Sequence, residues 1–271
     1  MKIVKHQGFT LIEIAIVLVI IAVLLSYTFM PLRAQLETAN IKKAHSKLAE
    51  IEESLYGFAI ANERLPCPTL PGQGGTAQPA ILDATPPAIP GADSCTTNIG
   101  FVPSSTLGLK GQVNCDGLLI DPWGRPYYYS ITNADASNDW DDFVERGQLK
   151  SIANGGEGID AVTPDIQICN NLDVDCTAAT PASAISTSNA VAVIFTRGTR
   201  QRNNSTDEDE NAGEGANLAS GCGLPAYEMG NDRFYYASTR RETAGQEFDD
   251  IITWISPNSL YSKMLKAGII P

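Results

Sequence analysis

The chain has 271 residues, 43% of them hydrophobic, and a formal net charge of −12. That length holds one large or two modest soluble domains with a core big enough to be stable. So acidic a body repels phosphate backbones, which argues against a nucleic-acid partner.

The first segment is short and basic, Met1–Gln7 with Lys2 and Lys5. Gly8-Phe9-Thr10-Leu11-Ile12-Glu13 follows, and then an apolar run from Ile14 to Leu25 that continues to Met30. At about 1.5 Å per residue, a helix over 9–30 is long enough to span a bilayer. The leading lysines keep the start of the chain cytoplasmic, which places the body beyond the cytoplasmic membrane. An ordinary secretory signal would put a small-residue cleavage site after the apolar run, and no Ala-x-Ala is found there. Nor would such a signal have a use for Glu13. A carboxylate inside a bilayer costs roughly 2.5–3.5 kcal/mol, so Glu13 calls for a partner.

Pro31 can kink this helix without ending it. Beyond it Leu36, Ile41, Ala44, Leu48, Ile51, Leu55 and Phe58 recur at helical spacing among Glu37, Lys42, Lys43, Lys47, Glu50, Glu52 and Glu53. That pattern predicts an amphipathic helix with one covered face. The expectation is a single rod from Phe9 to about Asn62, roughly 80 Å long, apolar all round over 9–30 and one-sided over 31–62.

Leu65-Pro66-Cys67-Pro68 stops the helix, because proline supplies no amide donor and restricts its predecessor. Residues 69–100 are rich in Pro, Gly, Thr and Ala and read as an irregular loop that Cys67 and Cys95 could tie down. Asp121-Pro122-Trp123-Gly124-Arg125-Pro126 is a turn by composition. Strand candidates are Tyr127–Ile131, Val191–Thr196, Arg233–Ala237 and Ile251–Ile255. Ser256-Pro257-Asn258 opens a short helix over 259–267 with Gly268 as its stop. One long helix followed by strands is the α+β pattern, with an antiparallel sheet on the helix's apolar face and 63–271 as one globular domain.

All six cysteines, Cys67, Cys95, Cys115, Cys169, Cys176 and Cys222, lie beyond the apolar run. They form no C-x-x-C, and with two histidines in the chain there is no metal-knuckle spacing. An even number on the far side of a membrane suggests disulfides, with buried thiols as the alternative. Only Cys169 and Cys176 are close enough in sequence to pair by inspection.

The hexapeptide from Gly8 to Glu13, with basic residues before it and an apolar run after it, resembles the type III signal of type IV pilins and type II secretion pseudopilins. The resemblance implies that prepilin peptidase removes 1–8 as a cytoplasmic leader, cutting between Gly8 and Phe9, and that Phe9 is N-methylated. It gives Glu13, the fifth mature residue, an assembly role. In a bundle of such helices its carboxylate would neutralise the charged terminus of a neighbour, removing two unpaired charges from apolar surroundings. The plainer alternative is an interfacial glutamate that reaches back to water.

Asp121-Pro122-Trp123-Gly124 with Pro126-Tyr127 is similar to a motif of the major pseudopilins that leads into a sheet strand. The ending, from Phe248-Asp249-Asp250-Ile251 through Trp254 to Ala267-Gly268, looks like the close of larger pilin-like proteins, as does Leu65-Pro66-Cys67-Pro68 after the helix. The implied fold is pilin-like, with disulfide-tied loops. The implied function is that of a structural subunit, a minor one by its size, in a type IV pilus or a type II secretion pseudopilus. Implied partners are prepilin peptidase, other pilin or pseudopilin subunits and an inner-membrane assembly platform. The implied location is a single pass through the inner membrane with a periplasmic domain, followed by incorporation into the fibre. The reading from another class is a membrane-anchored periplasmic binding or hydrolytic protein that does not polymerise.

Asp207-Glu208-Asp209-Glu210-Asn211 offers oxygen ligands at alternate positions, which makes Asp207, Asp209 and Asn211 calcium candidates. Ala212 and Leu218 stand where an EF-hand loop needs Gly and Glu, so it is not an EF-hand. The resemblance allows calcium here, or around Asp139, Asp141 and Asp142, and solvated loop charge is the plainer reading. No other cofactor is expected. For catalysis, His6 lies in the leader and His45 in the charged part of the helix, so no Ser-His-Asp or Cys-His set assembles in sequence. Asp249 and Asp250 are adjacent, and neighbours on a strand point to opposite faces. Gly155-Gly156-Glu157-Gly158 lacks the Lys of a phosphate loop. The expectation is a protein that is not an enzyme.

Overall fold

A computed structural model describes residues 10–78, 95–132, 143–145, 149–150, 164–170, 175–199, 211, 218–222, 226–227, 229, 233–241 and 248–270, without the side chains of 25–33. The chain divides into two compact units, Met1–Lys43 and Ala44–Pro271.

Helix α1 runs unbroken over Leu11–Asn62, through Pro31. Its end is set one turn of chain before the prolines. Glu63 takes a left-handed conformation (φ 55°) while its N–H donates to the Ala59 carbonyl at 2.9 Å, the usual geometry by which a helix closes. In the Ala44–Pro271 unit the covered face of α1 is Ala44, Leu48, Ile51, Leu55 and Ala59, each at most 2% exposed. These are steps of three and four residues, one stripe of a 3.6-residue helix. Leu36, expected on the same stripe, is exposed.

Strands β1 (Ile99–Phe101), β2 (Tyr128–Ile131), β5 (Ala192–Thr196) and β7 (Ile251–Ile255) form a four-stranded antiparallel sheet in that spatial order. Its two faces follow from the period of two. Thr253 donates its hydroxyl to Glu52 of α1 at 3.2 Å. Residues of the other parity, Tyr128, Val193, Phe195, Ile252 and Trp254, pack instead with Ile166, Ile168 and Tyr235 of a second sheet. The four-stranded sheet therefore lies between the helix and the second sheet. Rings run along the four-stranded sheet, Phe101 to Tyr128 at 5.1 Å and Tyr128 to Phe195 at 4.8 Å, and Phe195 then meets Tyr235 of the second sheet at 5.8 Å, spacings at which aromatic pairs attract.

Besides this antiparallel sheet, which the sequence led one to expect on the helix, the chain forms a second sheet that the residues did not announce. It contains β3 (Ile166–Cys169), β4 (Ile185–Ala190) and β6 (Phe234–Tyr236) in the order β4-β3-β6. β3 pairs antiparallel with β4 and parallel with β6. β4 is an edge strand made largely of Ser, Thr and Asn, with half of its residues exposed, so it carries none of the apolar alternation that announces a strand. β1 lies at the end of the stretch read as irregular loop.

Ser256 caps α2 (Pro257–Lys266), its Oγ accepting the Ser259 N–H at 3.2 Å, and Gly268 (φ 71°) follows the helix end. Leu260, Tyr261 and Met264 are buried. The segment after α1 returns along β1. Thr69 and Phe101 exchange backbone hydrogen bonds at 2.9 and 3.0 Å, and the buried Tyr129 hydroxyl donates to the Pro66 carbonyl at 3.0 Å. Gly100 lies so close to this segment that a Cβ there would stand 2.6 Å from the Thr69 carbonyl oxygen. Three disulfides form, Cys67–Cys95, Cys169–Cys176 and Cys115–Cys222. The first two join the pairs that the sequence singled out.

Candidate functional site

Gly8 and Phe9 lie outside the described residues. Glu13 occupies the third position of α1, and Thr10 is its cap. The Thr10 Oγ1 accepts the Glu13 N–H at 3.3 Å, and a Glu13 carboxylate oxygen lies 3.4 Å from the Thr10 N–H. This reciprocal arrangement is a capping box, and it supplies two of the orphan donors at a helix start with acceptors. The spacing Thr10-x-x-Glu13 is a signature of it in the sequence. Glu13 thus has a partner within its own chain.

Behind that cap the helix is apolar on every side. Leu11 is 93% exposed, and Ile12, Ile16, Leu18, Val19, Ile20 and Leu24 are all at least half exposed. With Ile14, Val17 and Ile21, which are also exposed, these positions go all the way round the axis at 3.6 residues per turn. So large an exposed apolar surface marks a site for lipid or protein contact. Among the described residues no helix is long and apolar enough to cross a membrane. The described apolar side chains end at Leu24, short of the roughly 20 residues that a span takes.

The Asp121–Arg125 turn is a clamp on the sheet. Pro122 and Gly124 (φ 86°) shape it, and the Asp121 Oδ1 accepts the N–H groups of Trp123 and Arg125 at 2.8 and 2.9 Å. The other carboxylate oxygen accepts the Thr196 hydroxyl of β5. Arg125 reaches the carbonyls of Arg197 and Thr199, both at 2.8 Å. Burial raises the Asp121 carboxyl above its ordinary pKa despite these donors. The motif therefore fixes the turn to the end of β5.

Of the calcium candidates, Asp207 and Asp209 lie outside the described residues, as do Asp139, Asp141 and Asp142. Asn211 is fully buried. Its Oδ1 accepts the Tyr236 N–H at 2.7 Å, and its Nδ2 donates to the Tyr236 carbonyl and to Asp250 at 3.0 and 2.9 Å. Its amide pairs with β6 as a neighbouring strand would. Asp249 accepts the Thr199 N–H at 2.8 Å, so Asp249 and Asp250 hold two different segments. His45 is exposed on α1.

One group among the described residues has potential metal-ligand spacing, Cys115, Asp116 and Cys222. Its two sulfurs are joined to each other, so the group offers no thiolate. Asp116 is buried, and four groups point at its carboxylate. Oδ2 accepts the hydroxyls of Ser220 and Tyr227, both at 2.7 Å; Oδ1 accepts the Gly221 N–H at 2.8 Å and lies 3.4 Å from the Cys222 sulfur. Burial opposes the charge, but the donors from Ser220, Tyr227 and Gly221 outweigh it and hold the carboxyl below its ordinary value. Nothing local in the sequence announces this centre, because its halves lie more than 100 residues apart.

Residues 4–29 match the family described as the prokaryotic N-terminal methylation motif, the prepilin-type signal of type IV pilins and pseudopilins. No curated protein and no solved structure matches the chain.

Proposed function

We propose that this protein is a pilin-like structural subunit, processed by prepilin peptidase between Gly8 and Phe9 and assembled through α1 into a type IV pilus or a type II secretion pseudopilus. The observation that carries the reading is the methylation motif over 4–29, which runs straight into a helix whose apolar side chains from Leu11 to Leu24 are exposed on every side. The motif implies association with a membrane and with other subunits. Exposed leucine, isoleucine and valine side chains each gain on the order of 1.5–3 kcal/mol when buried, so packing such helices together is strongly favourable once they leave lipid. Glu13 is then the polar group that must be satisfied inside the bundle. In the free chain Thr10 serves it; in the fibre the methylated terminus of a neighbour takes over. The work is polymerisation rather than catalysis, and it needs no metal.

Mass spectrometry of the mature protein tests the processing step. A chain that begins at N-methyl-Phe9 is expected, and an intact Met1 or a cut beyond the apolar run would overturn the reading in favour of an anchored periplasmic protein. Replacing Glu13 by Ala is expected to leave membrane insertion intact and to reduce incorporation into fibres severely. Undiminished incorporation would remove the proposed role of the carboxylate.

A further inference from the structure

The Asp116 centre ties two distant pieces of chain together twice at one place. Cys115 and Cys222 are both exposed, whereas Asp116 between them is 2% exposed. The other disulfides are better shielded, with Cys67, Cys169 and Cys176 all at most 4% exposed and Cys95 half-buried. Beside the exposed bridge, Ser220, Gly221 and Tyr227 donate to the Asp116 carboxylate. Asn114 completes the centre: its Nδ2 donates to the Tyr227 hydroxyl at 2.8 Å, and its Oδ1 accepts the N–H groups of Asp116 and Leu118.

What the double fastening holds down is apolar. Leu218 and Tyr227 exchange backbone hydrogen bonds at 2.9 and 2.8 Å and pack on the cluster that contains Phe101, Leu118 and Tyr128. The Tyr227 ring meets the Phe101 ring edge-on at 5.1 Å.

We propose that Leu218–Cys222 together with Tyr227 forms a cover over the Phe101 aromatic cluster, closed by two independent fastenings, the solvent-accessible Cys115–Cys222 disulfide and the Asp116 hydrogen-bond centre. It opens only when both are undone. An external dithiol is the reductant: two electrons and two protons pass to the bridge, leaving thiols on Cys115 and Cys222 and a disulfide in the reagent. The Cys222 sulfur already lies 3.4 Å from Asp116, so the thiol formed there donates to the carboxylate and the second fastening survives the first. Among the described residues the titratable group that faces Asp116 is Tyr227, joined by the Cys115 and Cys222 thiols once the bridge is reduced. Burial and the bond to Asp116 push the Tyr227 hydroxyl up to about 12, so it remains a neutral donor over the working range. The device closes an aromatic surface under oxidising conditions and keeps it closed through a transient reduction.

The test uses the full chain in detergent, with amide hydrogen exchange read at Leu218 and Tyr227 against Ile194 of β5 as the control for an intact fold. The double variant Cys115→Ser/Cys222→Ser and the single variant Asp116→Asn are each expected to raise exchange at the cover by no more than about threefold. Combined, they are expected to raise it by about 100-fold or more, with Ile194 unchanged. Release by the cysteine variant alone, or a cover that stays protected in the combined variant, would overturn the proposal. Should the combined variant lose protection at Ile194 as well, wild-type protein treated with dithiothreitol and then alkylated decides the matter. Cys115 and Cys222 label first while the Leu218 amide stays protected if two fastenings exist; earlier labelling of Cys169 and Cys176, or loss of Leu218 protection on reduction, rejects them.

Discussion

Between Leu11 and Leu24, α1 turns apolar side chains outward on all sides, whereas between Ala44 and Ala59 it buries one stripe and leaves His45, Glu50 and Glu53 to water. Both stretches obey the same helical geometry, so backbone propensity does not distinguish them. What differs is whether the covering surface belongs to the same chain. The second stretch has it, in a sheet face and α2. The first has only its own capping box, which answers the polar ends of the helix and none of its apolar sides. A surface completed within the chain serves stability, and one left incomplete is the surface to which the proposed function assigns assembly.

The sharpest way to break that contrast is to cut the same side chain in both stretches. Leu55 is fully buried and Leu18 is 60% exposed. Leu55→Ala is expected to destabilise the Ala44–Pro271 unit by about 2–5 kcal/mol, the range for a leucine removed from a packed site. Leu18→Ala is expected to leave its denaturant midpoint unchanged within about 0.5 kcal/mol. Equal effects in urea unfolding of the full chain in detergent would mean that the two stretches are not different in kind.

Much of this was legible from residues alone, and the omissions have physical causes. Spacings of three and four residues place Ala44, Leu48, Ile51 and Leu55 on one stripe, and the β-branched and aromatic runs mark β2, β5 and β7. Ser256-Pro257 marks the start of α2. β4 stayed hidden because Ser186, Ser188 and Asn189 face water on an edge strand, where burial does not write a pattern. The parallel pairing of β3 with β6 and the meeting of Asp116 with Tyr227 depend on closing long loops, and no local spacing encodes a partner 111 residues away. At the helix start the basic-then-apolar context spelled out the signal, whereas the capping box, though carried by the spacing Thr10-x-x-Glu13, came to light only in the structure. One glutamate carries both messages.

A second, smaller effect sharpens the comparison within the globular unit, because two of its buried carboxylates, Asp116 and Asp121, are shifted in opposite directions. Asp116 has a folded pKa below its ordinary 3.8, so the stability it contributes is present above 3.8 and is lost as pH falls through the lower folded value. Asp121 is raised above 3.8 by burial, so its contribution is fully present below 3.8 and is lost as pH rises through its folded value. Acidification should therefore first favour the Asp121 clamp and only at lower pH weaken the Asp116 centre. Comparing urea midpoints from pH 7 to pH 2, the Asp116→Asn variant is expected to lose less stability than wild type at the acid end, and Asp121→Asn to gain less on the way down. Parallel profiles for wild type and both variants would show that neither carboxylate titrates differently in the folded state.

The smallest expected effect lies where α1 meets α2 at the surface. Lys263 Nζ stands 2.6 Å from a Glu53 carboxylate oxygen and 5.0 Å from the Tyr56 ring centre, and both charged side chains are substantially exposed. Exposed ion pairs contribute about 0–1 kcal/mol, because water screens them and two long side chains must be held still. Beneath this pair Tyr56 is buried, and its hydroxyl donates to Ser259 at 2.9 Å. Glu53→Gln is therefore expected to change stability by less than about 0.5 kcal/mol, with any loss diminished further in 1 M salt. A loss as large as that of Leu55→Ala would place the union of α1 with α2 in its charges, against the view that the buried stripe holds this half of the helix.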